Sequence, residues 1–160
     1  MPAIVYFHKS FHEGSVRTKY FSDYLSLKDD EKFLLFHFIT HVKLGNLLPG
    51  KNKTSWTNTK GEEILSSSVI GYKSCKLWHY HVGPHSNNNT LHKKGIRDIN
   101  LEGETSGAVV HYKWYDPSSK EKLIIIAFSP LHDPFPKPRD RNNIIPNRSG
   151  AVKLEDLILG

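Results

Sequence analysis

Four histidines stand where short apolar or aromatic runs would hold them on strands or beside them: His79, His81, His111 and His132. Imidazole titrates close to neutral pH, so two such groups in one pocket can take a proton and return it without leaving the working range. Cations for an anionic partner come from Arg97, Arg139, Arg141 and the lysine pair Lys93-Lys94. A guanidinium stays protonated and its planar fork can grip two phosphate oxygens. His79, His81 and His132 with Asp133 also count three or four metal-ligating groups. Their spacing is not that of a known zinc site, so neither a metal nor another cofactor is expected.

These groups need scaffolding, and the stretch Thr105 to His132 supplies it. Gly107 to Tyr115 alternates, sending Ala108, Val110, Tyr112 and Trp114 one way and Val109, His111, Lys113 and Tyr115 the other, which reads as a half-buried strand. Asp116-Pro117-Ser118-Ser119 is a turn by its chemistry. Leu123 to Phe128 has no polar residue and suits a strand covered on both faces at the sheet centre. Polar clusters lie on either side of this hairpin: His79-Tyr80-His81 before it, His132 through Asn143 after it. If the strands pair in order, both clusters reach one region of the sheet, and that convergence is the functional hypothesis.

Elsewhere, Ala3 to Phe7 reads as a first strand and Phe11 to Gly14 as a turn. Ser26 offers an N-cap to a helix that runs to the stop signal Gly45-Asn46, with an apolar face wide enough to cover a sheet. His37 and His41, four apart on that helix, are read as structural or solvent-facing. Lys51 to Ser68 reads as a surface loop, or as a basic lip in which Lys51, Lys53, Lys60 and Trp56 meet a nucleic-acid strand. Lys76 to Val82 is a strand with His79 and His81 on one face, about 7 Å apart. Ile96 to Leu101 is expected as a short strand, the proline-rich segment after His132 as stiff and extended, and Ala151 to Leu159 as a final helix. Trp78, Tyr80, Tyr112 and Trp114 are assigned to the core. The expected class is α+β, a small antiparallel β-sheet with helices packed on one face.

Length and composition set the limits. With 160 residues the chain holds one core, so residues 1–160 are read as a single domain. Lys plus Arg number 22 against 16 Asp plus Glu, a net charge of +6, which favours an anionic partner without selecting among nucleic acid, acidic protein and plain solubility. Cys75 is the only cysteine, which excludes an internal disulfide and points to a reducing compartment, with Cys75 as a small filler. No stretch has the roughly 20 apolar residues of a membrane span, and the N-terminus lacks a signal-peptide core. A cytoplasmic location with no membrane partner is the expectation.

Three pieces in the same order carry a resemblance: His37 to Asn52, HFITHVKLGNLLPGKN; the strand HYHV at His79 to Val82; and the stretch from Thr105 through AVVHY, LIIIAF and SPLH to PRDRNNI at Pro138 to Ile144. Together they resemble the YafO toxins of bacterial toxin–antitoxin pairs, within the RelE-like group of small ribonucleases. The chain departs from that pattern in its length, in the DPFPKP insertion after His132 and in its last segment. The resemblance implies a RelE-like toxin domain that cleaves mRNA on the ribosome and is held inactive by a cognate antitoxin protein.

Metal-free RNA cleavage needs a base for the 2′-hydroxyl proton, an acid for the leaving 5′-oxygen and cations for the charge that grows on the phosphate. His81 and His132 are the expected acid/base pair, with His79 beside them and Arg139 as the phosphate clamp. Arg97, Lys93, Lys94, Thr105 and Arg141 are the expected RNA contacts, with Ser106 adding hydrogen bonds. Each histidine has a plainer reading as a satisfied, half-buried side chain, and Arg139 and Arg141 as solvation of a proline-rich surface. Two rivals follow: a non-catalytic basic module that binds RNA or an acidic protein, and a ribosome-independent ribonuclease toxin.

Overall fold

In the computed structural model, which describes residues 2–65, 70–85, 94–132, 143–150 and 152–160, the expected hairpin forms the middle of a sheet. Its strands are β4 (Ala108–Trp114) and β5 (Lys122–Ser129), antiparallel, with Trp114 opposite Leu123 and Val109 opposite Ser129. β3 (Trp78–Gly83) pairs antiparallel with β4, and β2 (Asn52–Thr54) with β3. On the other side β1 (Ile4–His8) runs parallel to β5, and β6 (Leu157–Leu159) closes that edge antiparallel to β1. The order is β2-β3-β4-β5-β1-β6. The class is α+β as expected, but the sheet is mixed, because β1 enters beside β5 in the parallel sense.

The strand alternation creates two apolar layers. On one face Trp78, Tyr80, Val110, Tyr112, Trp114, Leu123 and Ile125 pack with Leu35, Phe38, Ile39 and Val42 of α2 (Asp29–Leu44). Burying one such aliphatic side chain stabilises the fold by about 1.5–3 kcal/mol. α2 begins where the Glu31 carboxylate accepts the Lys28 N–H at 2.8 Å, and it ends at Gly45 with φ of 72°. A left-handed terminus of that kind suits glycine. The four-residue helix α1 (Lys9–His12) stands where a turn is expected and buries Phe11 in the same layer.

The second face carries its own cluster of Phe21, Leu77, Ile124, Ile126 and Ala127 with Tyr72 from α3 (Ile70–Ser74) and Ile145 from α4 (Ile145–Ser149). Helical residues therefore cover both faces, which differs from the one-sided packing expected, and β4 is buried on both sides instead of half-buried. α4 is anchored by Arg148, whose guanidinium donates to both carboxylate oxygens of Asp23 at 2.8 and 3.0 Å and to the Ile126 carbonyl at 3.1 Å.

Three expected elements change. Asn52–Thr54, expected as loop, is an edge strand, held because the buried Asn52 amide donates to the Ile96 and Asp98 carbonyls and accepts the Tyr112 hydroxyl. Ile96 to Leu101 is not a strand: turns occupy it, with one isolated bridge from Asn100 to Asn52. The terminal segment is a 3-10 turn at Leu154–Asp156 followed by β6, because the open edge of β1 takes up its backbone groups. Cys75 is buried and free, as a filler would be. Among the described residues no helix is long and apolar enough to cross a membrane.

Candidate active site

Histidine occupies the second face of β3 and β4 where an apolar residue would extend the cluster. His79 and His81 are two apart on β3 and share that face, and the register sets His111 on β4 directly across from His79. β5 then delivers His132 just beyond its C-terminal end, back over β3. Ring centroids of His132 lie 4.9 Å from His81 and 5.7 Å from His79, while His79 and His81 are 5.7 Å apart. One ring nitrogen from each of His79, His81 and His132 lies within 4.8 Å of the others. The in-order pairing thus brings His132, the first residue of the cluster after the hairpin, to His79 and His81 of the cluster before it; residues 133–142 lie outside the described residues.

Fixed partners orient the rings. His79 Nδ1 hydrogen-bonds the Ser55 hydroxyl at 2.9 Å, and His111 Nε2 the Ser129 hydroxyl at 2.7 Å. His81 Nδ1 meets the main chain of Ser106 at 3.0 Å, either accepting its N–H or donating to its carbonyl according to tautomer. The Ser106 hydroxyl donates to the Ala108 carbonyl and accepts the Gly83 N–H, so the loop before β4 is locked against the end of β3.

A groove of about 490 Å³ opens beside the rings, lined by Lys51, Lys53, Thr59, His81, Thr105, Ser106, Gly107, Leu131 and His132. Lys53 stands directly across β2–β3 from His79, and its ammonium donates to the Thr57 carbonyl at 2.8 Å. The Lys51 carbonyl accepts the His81 N–H at 2.9 Å. That close pairing needs glycine before it, because a Cβ at Gly50 would lie 1.9 Å from the His81 carbonyl oxygen.

Burial dominates the electrostatics. It lowers the His81 imidazole to about 4, against a raising contribution from the Ser106 backbone, with His132, Lys51 and Lys53 lowering it further. Burial, then His111 and His81, hold His79 well below the ordinary histidine value. His111 is lowered to about 3, again mainly by burial. These three rings are neutral at neutral pH, when a ring nitrogen can accept a proton or bind a metal. Lys53 is also lowered, first by burial and then by Lys51.

Of the residues singled out in the sequence, His79, His81, His132, Thr105 and Ser106 meet here, and Lys51 and Lys53 of the basic lip join them. Arg97 does not: its guanidinium donates to the Pro2 carbonyl at 2.7 Å and lies 5.7 Å from the centre of the Trp114 ring. Lys94 is exposed and is not among the groove residues, its carbonyl accepting the Leu48 N–H. Arg139, Arg141, Lys93 and Asp133 lie outside the described residues. Ser55 was missed, because a serine inside a polar stretch expected as loop carries no signal of its own. The four aromatics Trp78, Tyr80, Tyr112 and Trp114 are core, as expected. No family model, curated protein or solved structure matches the chain.

Proposed function

We propose that the chain is the toxin of a toxin–antitoxin pair, a ribosome-associated endoribonuclease that cuts mRNA by general acid–base chemistry. The supporting observation is the groove in which the His81 and His132 rings stand 4.9 Å apart beside Lys51 and Lys53. The RelE-like arrangement and the cognate antitoxin belong to this same reading and rest on the resemblance described above; the cytoplasmic location belongs to it too and rests on the cysteine content and the lack of an apolar membrane-length stretch.

In this reading neutral His81 accepts the proton of the 2′-hydroxyl as that oxygen attacks the adjacent phosphorus. Lys51 and Lys53 offset the negative charge on the phosphoryl oxygens, with Arg139 the further cation expected from the sequence. His132 delivers a proton to the 5′-oxygen as the P–O bond to it breaks. The products are a 2′,3′-cyclic phosphate and a 5′-hydroxyl, so protons and charge balance. His79, pinned by Ser55, sets the position of its two neighbours.

The test is induction in a bacterium, with growth and transcript integrity followed for the natural chain and for His81→Ala and His132→Ala. Growth arrest with cut transcripts is expected from the natural chain. Each variant should lose cleavage by about 100-fold or more. Full toxicity in both would refute the site, and salt-sensitive RNA binding without any cutting would favour a non-catalytic basic module.

A further inference from the structure

We propose that His79, His81 and His132 form a binding site for one zinc-class ion, and that an ion seated there blocks proton transfer in the groove. The second half rests on the function proposed above; the first does not. Three features of the geometry carry the site.

The first is convergence. Two ligands at i and i+2 on β3 share a face, and the third closes over them from the end of β5, giving three ring nitrogens within 4.8 Å of one another. Around a tetrahedral ion with Zn–N near 2.0–2.1 Å, ligand nitrogens sit about 3.3 Å apart. His132 is half-buried and lies beyond the end of β5, outside the strand pairing that fixes His79 and His81.

The second is outer support. Metal-bound histidines use their other ring nitrogen to donate to a carbonyl, hydroxyl or carboxylate, which fixes tautomer and orientation. His79 has the Ser55 hydroxyl at its Nδ1, and His81 has the Ser106 carbonyl 3.0 Å from its Nδ1. With Nδ1–H donating to Ser106, the His81 Nε2 lone pair is the ligand. The third is the donor set with its open side. Three imidazoles and no carboxylate, among the described residues, select zinc, copper, nickel or cobalt over magnesium or calcium. The groove leaves the fourth position to water or an anion, with Lys51 and Lys53 favouring the anion.

An ion held this way occupies the nitrogen lone pair that His81 needs as a base and the ring that His132 uses as an acid. Binding and cleavage therefore compete for the same atoms, and the site acts as a metal-dependent off switch.

The experiment is calorimetry of the purified, metal-stripped full chain with zinc chloride, for the natural sequence, His79→Ala and His132→Ala. Cobalt(II) absorption in the visible serves as a second readout of a tetrahedral nitrogen site. One ion per chain is expected. Loss of an outer-shell partner alone weakens binding roughly 10–100-fold, so either variant should lose at least about 100-fold. His132→Ala removes a ligand outside the strands and keeps the test valid if His79→Ala does not fold. Absence of binding to the folded natural chain, or equal binding by a folded variant, overturns the site. Cleavage of ribosome-bound mRNA should then fall with stoichiometric zinc and return with a zinc-selective chelator that spares magnesium. Unchanged or faster cleavage overturns the switch. Cleavage in neither state removes the switch together with the parent function, while calorimetry still decides the site.

Discussion

His111 sits on β4 directly across from His79 and does not line the groove, and its buried, neutral ring ties acid stability to the site. Its imidazole is lowered to about 3 in the fold, against about 6.5 in an unfolded chain. A histidine with a depressed folded value contributes its full stability above the unfolded value and loses it as pH falls from there toward the folded value. The window opens near pH 6.5, and the loss approaches about 1.4 kcal/mol per pH unit for each such ring. His8, lowered mainly by burial, acts in the same direction. Urea midpoints should therefore fall steadily between pH 7 and pH 5, and less steeply in His111→Gln. A midpoint that is flat or rises on acidification would contradict the burial of a neutral imidazole there.

Among the elements, β2 shows how a polar segment earns a place in a sheet. Asn52 and Lys53 are residue types depleted in strands and Thr54 alone favours one, so the polar segment reads as loop. Its order comes from one amide that donates to two carbonyls at 2.9 and 2.7 Å and accepts the Tyr112 hydroxyl at 2.5 Å. Asn52→Ala strands those groups in a dry interior, at about 1–3 kcal/mol for each one left unsatisfied. A loss of about 3 kcal/mol in urea unfolding is expected, with cleavage falling as well because Lys51 and Lys53 lose their support. A loss below about 1 kcal/mol would show that the edge is held by something else. The hairpin, by contrast, was legible from alternation, turn chemistry and the apolar run, because those signals are local. β6, α3 and α4 were not, since each is short and owes its form to what it packs against. The approach of His132 to His79 and His81 follows from alternation on β3, which is local, and from the in-order pairing of β3, β4 and β5, which the sequence allowed only as a condition. Arg97 lies away from the groove, against Pro2 and Trp114, because nearness in sequence says nothing about which end of the sheet a turn reaches.

At the level of the whole molecule, the sheet separates two tasks. One face, under α2, is aromatic and aliphatic core; the other replaces apolar positions on β3 and β4 with imidazoles, of which His81 lines a groove shared with Lys51, Lys53 and His132. The net charge of +6 suits a polyanionic target, and the groove is where two lysines stand beside two imidazoles. The proposed chemistry acts on one bond in RNA. Purified chain should be incubated with ribosomes carrying a short mRNA, and with the same mRNA bearing a single 2′-deoxy nucleotide at the position cut. Cleavage of the first to a 2′,3′-cyclic phosphate and a 5′-hydroxyl is expected, with no cleavage at that bond in the second; a cut in the deoxy strand, or none in either, would contradict attack by the 2′-hydroxyl in this groove.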